Sequence, residues 1–354
     1  MNKYIKKSIL TALALTMLLP YGLVSNNSKA EINVTRIAGA NRFETSIKVS
    51  QNFFKSRNSS AVIASGNDFR SALYASYMAS SLRIPFLVNS PSTLRPDVAK
   101  ELRRLGVSRV FLVGNTSTLS NKVENDLRGM KINVERLAEN NQKDINSLVD
   151  QKIYNTFFPG TPRGDIDSGI VINDKIFPDL LSSVPFVAET ARTQGSYLGA
   201  YYRLPATDGY KFIIGGRGTV PDSYKTFYGD INGINAHNDD ENSGEEANYY
   251  TGRLAGGDRY ETAIEIAKAY KPVLRKNINT VILVNGKDYP DALSSGIAGV
   301  YSNAAVLLTP PNALHESTKR FIMENGISKV IIIGGTSSVS KNAENTVRLS
   351  LIHI

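Results

Sequence analysis

The chain has 354 residues, 42% of them hydrophobic, and a formal net charge of +9. This composition excludes a disordered chain, and the length suffices for two or three hydrophobic cores. The absence of cysteine excludes disulfides, cysteine nucleophiles and thiolate metal sites. The positive charge is too small and too dispersed to indicate nucleic acid. It suits a partner with an anionic surface.

The first residues have the pattern of an export signal. Lysines precede an apolar run at residues 9–19, and small residues stand at positions 28 and 30. The run is shorter than the roughly 20 apolar residues that a membrane helix needs. We therefore predict a signal peptide at residues 1–30, a secreted protein and no membrane span after its removal.

Short apolar runs follow in chain order. They predict buried strands at residues 61–64, 84–88 and 110–113, and each is followed by the spacing of an amphipathic helix. Uniformly apolar strands separated by such helices are typical of a parallel sheet covered on both faces. The expected fold class is α/β, built from a small doubly wound, Rossmann-like or flavodoxin-like module.

This module is repeated along the chain. RIAGANRFET at residues 36–45 returns as RLAGGDRYET at residues 253–262, and INDKIFPDLL in the middle resembles the later VNGKDYPDAL. The middle copy lacks the opening signature. A repeat of this kind indicates tandem modules. We expect three, at residues 31–138, 139–250 and 251–354, with an exposed acidic loop at residues 238–248.

The opening signature has the spacing of a helix cap. Asn41 and Asp258 are each followed three residues later by glutamate, as in a capping box. Arg42 and Arg259 come next in the first helical turn, where the helix dipole disfavours a cation. Two interpretations stay open. The arginines either bind an anion together with exposed N–H groups, or form a salt bridge with that glutamate or with a neighbouring module.

A second motif follows the first strand of a module, as SGNDFRSAL and later NGKDYPDAL. Asp68 and Asp288 fit caps of the helix that comes next. Open α/β sheets bind ligands at the carboxyl ends of their strands. Asn67 and Lys287 are therefore candidate ligand contacts, because neither is needed for capping.

A third motif, GNTSTLS and GGTSSVS, follows the last apolar strand of the first and third modules. Glycine followed by hydroxyl residues offers backbone and side-chain donors that suit sugars. The middle copy has glycines at this place without the complete dinucleotide fingerprint, and the histidines form no metal-binding pair. We expect neither a cofactor nor a metal.

The shared acidic residues do not predict catalysis. Glycosidase chemistry needs two carboxylates that flank one bond, whereas most shared carboxylates have the spacing of caps, and Asp291 is replaced by Ser71 in the first copy. We expect a protein that is not an enzyme. The alternative is an exported wall-modifying hydrolase with a cleft between modules.

Taken together, these motifs resemble the cell wall binding repeat 2 family of clostridial-type surface proteins. The third module matches its pattern from Arg253 to Gly335, and the first matches from Arg36 to Gly114 but departs at Ser71 and Asn115. The resemblance implies an intramolecular pseudo-trimer in the cell wall or surface layer. It also implies noncovalent anchoring through an anionic secondary wall polysaccharide. A lattice component that contacts surface-layer proteins is a further alternative.

The motifs and the resemblance together predict one set of polysaccharide-binding residues. They are Arg36, Arg42, Asn67, Asp68, Thr116, Ser117, Lys175, Asp179, Arg217, Arg253, Arg259, Lys287, Asp288, Asp291, Thr336 and Ser337.

Overall fold

The computed structural model of the chain describes residues 32–140, 143–162, 169–206, 209–237 and 249–349. The predicted signal peptide and the acidic loop at residues 238–248 lie outside the described residues.

Strands and helices alternate along the chain, as expected for an α/β protein. The first part contains β1 (Asn33–Ile37), α1 (Arg42–Phe53), β2 (Ser60–Ser65), α2 (Phe69–Leu82), β3 (Phe86–Asn89), α3 (Pro96–Leu105), β4 (Arg109–Val113) and α4 (Asn121–Gly129). The middle part contains β5 (Asn133–Leu137), α5 (Ile145–Phe157), β6 (Gly169–Ile172), α6 (Phe177–Gln194), β7 (Tyr197–Ala200), β8 (Phe212–Ile214) and β9 (Asn235–His237). The last part contains β10 (Tyr249–Leu254), α7 (Arg259–Lys268), α8 (Tyr270–Leu274), β11 (Thr280–Asn285), α9 (Ser295–Ser302), β12 (Ala304–Thr309), α10 (Glu316–Glu324), β13 (Lys329–Ile333) and α11 (Lys341–Leu349).

The strands form three sheets of one topology. Their orders are β3-β2-β4-β5, β7-β6-β8-β10 and β12-β11-β13-β1, with all these pairs parallel. The short strand β9 adds an antiparallel edge to the middle sheet. The parallel order is of the flavodoxin type, and it confirms the predicted doubly wound modules.

The opening strand of each repeat belongs to the sheet of another module. Strand β5 joins the first sheet and β10 joins the middle sheet, while β1 pairs with β13 and completes the third sheet. The three modules therefore form a ring that the first strand closes. The boundaries at residues 31–138, 139–250 and 251–354 stay a prediction as domain limits. The first of them falls after β5, the strand that opens the middle repeat.

Three central helices hold the ring together: α2, α6 and the segment that runs from the 3-10 turn Pro290–Ser294 into α9. The amino ends of all three lie together, since Phe69, Phe177 and Tyr289 meet there with ring centroids 5.5 to 6.3 Å apart. The three segments therefore run parallel. At the other end Arg83 pairs with Glu189. This arrangement confirms the expected pseudo-trimer.

The helices approach closely at Gly296 of α9. A Cβ atom there would lie 2.3 Å from Val184 of α6 and 2.8 Å from Ser76 of α2. Real side chains do not tolerate such distances. Glycine at this position therefore lets the three helices share one core.

Candidate functional site

The candidate site is the face where the parallel strands end and the central helices begin, which we call the turn face. In each sheet the crevice between the first and the third strand of the module, such as β2 and β4, is the point where the strand order reverses. Open α/β sheets bind ligands at this point, outside the carboxyl ends of the strands. Nearly all predicted binding residues lie on this face.

The turn after the first strand of each module has the same geometry three times. A side-chain oxygen of Ser65, Asn173 or Asn285 accepts the backbone N–H two positions later, over 3.2, 3.0 and 2.8 Å. This local hydrogen bond fixes the turn and directs the next polar residue outwards. The residues presented in this way, all of them exposed, are Asn67, Lys175 and Lys287.

Two positions further on, each turn carries an aromatic residue, and the three rings form a half-buried cluster on the axis of the ring of modules. We call it the aromatic triad; it consists of Phe69, Phe177 and Tyr289. The sequence analysis missed it. The available sequence signal was an aromatic residue at the same position of the second motif in all three copies. It predicts a cluster only once the three copies are known to surround one axis.

The predicted caps are present at the opening helices. Asn41 and Asp258 each accept two backbone N–H groups of the first turn. The glutamates of the boxes reach the N–H of Ala40 and Gly257, at 3.0 and 2.8 Å. These are the residues before the caps, one position earlier than a standard capping box predicts.

The caps of the second motif differ between the modules. Asp68 accepts from Arg70 and Ser71 and caps α2. Among the described residues, Asp288 accepts only from Tyr289, at 3.0 Å, and a 3-10 turn instead of an α-helix begins at Pro290. The predicted α-helical cap at Asp288 is therefore wrong.

Within the described residues, Arg42 and Arg259 form no salt bridge, either with the glutamate of the motif or with a neighbouring module. The Nη1 group of Arg42 donates to the carbonyl of Gly66, and that of Arg259 donates to the carbonyl of Gly286 at 2.7 Å. Each arginine thus ties the opening helix to the second motif. In the described chain their Nε and Nη2 groups have no hydrogen-bond partner, so both keep donors available on the turn face.

Arg36 and Arg253 point inwards under the third turn. Arg36 donates to the carbonyls of Gly334 and Val339 at 2.7 and 2.8 Å and pairs with Glu344. Arg253, with 1% of its side chain exposed, pairs with Asp230. Backbone carbonyls and a carboxylate thus occupy the donors of both arginines.

The middle module has the same inward arginine, which the sequence analysis missed. Arg136 in β5 donates to the carbonyls of Gly114 and Leu119, both at 2.9 Å, and to Glu124. The opening strand is therefore kept there, and only the helical part of the signature is lost. The available sequence signal was the spacing between Arg136 and the apolar residues of β5, which is the same as that around Arg36 in β1.

The third turn is exposed at its tip in all three modules. Thr116, Ser117, Thr336 and Ser337 are exposed. Arg217 takes the same place in the middle module, where it pairs with Asp230 at 2.9 Å and donates to Asn232 at 3.1 Å.

Two carboxylates lie in the crevices between the second and third motifs. Asp291 accepts from Ser338 of the third turn at 2.5 Å and from Thr45 of the first module at 3.4 Å. Asp179, at the equivalent place in the middle module, is 6% exposed. Burial raises the pKa of Asp179 to about 6, and the charge of Arg259 opposes this rise.

A buried cluster joins the first two modules beside the turn face. Asp174 is fully buried and accepts from Arg70 and Tyr74, both at 2.8 Å, and from Tyr202. Glu139 gives Arg70 a second ion pair at 2.7 Å. The sequence analysis did not find this cluster, because its members lie far apart in the chain.

Within the described ranges, no group of three or more His, Cys, Asp or Glu side chains is arranged to hold a metal ion. None of the helices in this part of the chain is long and apolar enough to span a bilayer.

The comparisons with known proteins agree with this geometry. The model of cell wall binding domain 2 (CWB2) matches residues 36–124 and 253–344, about half of the chain. Among solved structures, Cwp8 from Clostridium difficile has a TM-score of 0.68 at 18% identity, covering 92% of this chain and 52% of that one. Cwp6 from the same organism has a TM-score of 0.69 at 19% identity, with 91% and 48% covered.

Two curated relatives come from Bacillus subtilis (strain 168). N-acetylmuramoyl-L-alanine amidase LytC is 23% identical over 98% of this chain, and Amidase enhancer is 24% identical over 88% of it. The chain spans 63% and 39% of the length of these two proteins. The matched family regions contain both complete signatures and their turns, and the chain therefore belongs to the cell wall binding domain 2 (CWB2) family.

Proposed function

We propose that the protein anchors noncovalently to a Gram-positive cell wall by binding an anionic secondary wall polysaccharide on its turn face. The observation that carries the proposal is the convergence of three equivalent turns around one axis. Two of these turns present the exposed cations Lys175 and Lys287. In this proposal the protein is secreted and located in the wall or surface layer.

The physical chemistry of the turn face favours an anionic sugar polymer. The amino ends of α2 and α6 meet there, and the positive ends of helix dipoles attract anions. The aromatic triad offers an apolar surface for a sugar ring, and exposed Thr and Ser side chains offer hydrogen bonds. Hydrogen bonds to charged groups contribute about 1.5 to 3 kcal/mol each, and several weak sites on one chain gain avidity.

Not every predicted residue belongs to this proposal. We leave out Arg36 and Arg253, because carbonyls and carboxylates of the fold occupy their donors. The exposed predicted residues at the turns remain in it. No catalytic role is proposed for Asp288 or any other carboxylate of this face.

Binding of the chain from residue 31 onward to purified cell walls tests the proposal. We expect sedimentation with intact walls and none with walls from which the anionic polymer has been removed. The double variant Lys175→Ala, Lys287→Ala should bind at least about tenfold more weakly, since two charge-assisted contacts are lost. The control variant Lys55→Ala, Lys271→Ala also removes two exposed lysines. These lysines precede the strands β2 and β11 in the chain, whereas Lys175 and Lys287 follow strand ends, so the control should bind normally.

Three outcomes would count against the proposal. Equal retention on stripped walls would mean that the polymer is not the ligand. Release of soluble wall fragments, abolished by Asp288→Asn, would support the hydrolase instead. Regular self-assembly in the absence of any polysaccharide would favour the lattice component and its surface-layer protein contacts.

A further inference from the structure

The three crevices of the turn face differ at one equivalent position, which is occupied by Ser71, Asp179 and Asp291 in the three modules. Serine carries no charge, and the carboxylate of Asp291 is already held by Ser338 and Thr45. Asp179 is a buried carboxylate without a hydrogen-bond partner in the part of the chain that the structure describes. A buried carboxylate normally has such partners, because its desolvation is otherwise costly.

The two hydroxyls equivalent to those that hold Asp291 form no hydrogen bond with Asp179 in the described residues. Thr219, the counterpart of Ser338, donates its hydroxyl to the carbonyl of Gly216 at 2.8 Å instead. Thr262, the counterpart of Thr45, accepts the N–H of Gly256 at 3.2 Å, just as Thr45 accepts that of Gly39 at 3.1 Å, but only Thr45 also donates to its aspartate. The hydroxyl of Thr219 is therefore turned away, and that of Thr262 does not come within hydrogen-bond distance of the carboxylate.

The carboxylate of Asp179 lies against the third turn and keeps a small contact with solvent. A Cβ atom on Gly215 would lie 2.9 Å from Oδ2 of Asp179, so glycine alone permits this close approach. Asp179 is 6% exposed, and the side-chain atoms that are fully enclosed and unpartnered in the described chain belong to other residues. A donor that displaces the solvent at this contact can therefore bond to the carboxylate.

A cation stands beside this carboxylate. Arg259 begins α7, which packs against α6, and Asp179 lies in the first turn of α6. Arg259 is exposed and uses only Nη1 for the carbonyl of Gly286, and its charge acts on the carboxylate. The crevice thus combines a buried acceptor with guanidinium donors at its mouth. A matching ligand has a neutral hydroxyl donor and, next to it, an anionic group.

We infer that the crevice between the middle and third modules is the selective subsite of the turn face: Asp179 accepts a sugar hydroxyl, and Arg259 binds an adjacent anionic group of the same polymer. This inference rests on the proposed function and deepens it. It makes the most divergent module the main contributor to recognition. The crevices at Ser71 and Asp291 then contribute weaker contacts.

The test compares two equivalent substitutions, Asp179→Asn and Asp291→Asn, by titration with polysaccharide purified from cell walls. Asp179→Asn should weaken binding at least about tenfold, because a charge-assisted hydrogen bond becomes a neutral one. It should also raise the melting temperature by a few degrees, since a buried unpartnered charge is removed. Asp291→Asn should lower the melting temperature and weaken the binding of the folded protein less than Asp179→Asn does.

A second arm separates the two parts of the ligand. The same polymer with its anionic groups removed should still bind the wild type more tightly than Asp179→Asn, whereas Arg259→Ala should then have no effect. Equal affinity of wild type and Asp179→Asn for the intact polymer overturns the inference and leaves the proposed function standing. Failure of the wild type to bind the intact polymer overturns both.

Discussion

Arg36 of the first strand and Glu344 of the last helix form an ion pair, with 2.8 Å between Nη2 and Oε2, across 308 positions of the chain. The pair fastens β1 to the third sheet and so closes the ring of modules. Lys341 and Arg348 donate to the same carboxylate, both at 3.0 Å. Glu344 is therefore the centre of the closure.

Glu344→Gln should loosen this closure at neutral pH. Burial alone would raise the pKa of Glu344, but hydrogen bonds from Arg36, Lys341 and Arg348 lower it to about 2. A lowered folded-state pKa stabilises the protein above the unfolded value of 4.5, and this contribution is lost as the pH falls towards 2. We expect a loss of about 2 to 4 kcal/mol at pH 7, measured by denaturant unfolding.

The difference between wild type and Glu344→Gln should shrink between pH 4.5 and pH 2. Glu316→Gln is the matched control. Its carboxylate is exposed and lies 3.9 Å from Lys319, so the change should stay within about 0.5 kcal/mol. A difference that does not vary with pH would argue against the charge of Glu344 as the cause.

Asp179→Asn should have the opposite effect on stability. The pKa of Asp179 is raised by burial to about 6, against 3.8 for an ordinary aspartate, with Arg259 as the charge that opposes the rise. A raised folded-state pKa favours the folded protein below the unfolded value, and this advantage is lost as the pH rises through the folded value. We expect the variant to gain about 1 to 3 kcal/mol at pH 7. The gain should vanish below about pH 4 in unfolding curves.

Gly66→Ala should detach Arg42 from the second motif. A Cβ atom at Gly66 would lie 2.6 Å from Cδ of Arg42 and 2.8 Å from Cγ1 of Val88. Crowding of this kind typically costs about 1 to 3 kcal/mol. Gly129→Ala is the comparison, since nothing lies within 4 Å of its added Cβ, and it should be neutral or stabilising by up to about 1 kcal/mol. Thermal unfolding that ranks the two variants equally would contradict the packing argument.

Asp174→Ala should separate the first two modules. The substitution leaves Arg70, Tyr74 and Tyr202 without their shared acceptor. Removal of one partner from a buried ion pair typically costs about 3 to 5 kcal/mol. Compared with the wild type, the variant should show faster amide hydrogen exchange in α2 and α6 and unchanged exchange in α10. Unchanged protection of the two central helices would mean that other contacts carry this junction.

Much of the fold could be predicted because its signals are local. The apolar runs of β2, β3 and β4 stood out, and the caps at Asn41 and Asp258 depend on residues three positions apart. The strands β1, β5 and β10 were missed. Polar residues interrupt the apolar pattern of all three strands, and their pairing partners lie in other modules. Strand β7 was missed because glycine and tyrosine interrupt its pattern.

The candidate site was predicted less completely than the fold. Exposure of Asn67, Lys175 and Lys287 follows from a turn that the sequence encodes, and their place at strand ends was correct. The sequence could not distinguish the arginines that stabilise the fold from those that keep donors on the turn face. Arg36 and Arg42 are six positions apart in one motif, yet one is enclosed by carbonyls of the third module and the other keeps donors free on the surface.

The sequence by itself determined the α/β class, the threefold repeat and the polar turns at the strand ends, because periodicity, capping and turn chemistry act over a few residues. Tertiary structure alone decided how the modules exchange strands and that three aromatic rings share one axis. It also decided that Asp179 has no hydrogen-bond partner among the residues described, while Asp291 is held by two hydroxyls. These properties depend on contacts between segments that are far apart in the chain. Whether a hydroxyl reaches a carboxylate is set by such packing. The same residue types can therefore give a hydrogen-bonded aspartate in one module and an aspartate that keeps its acceptors available in another.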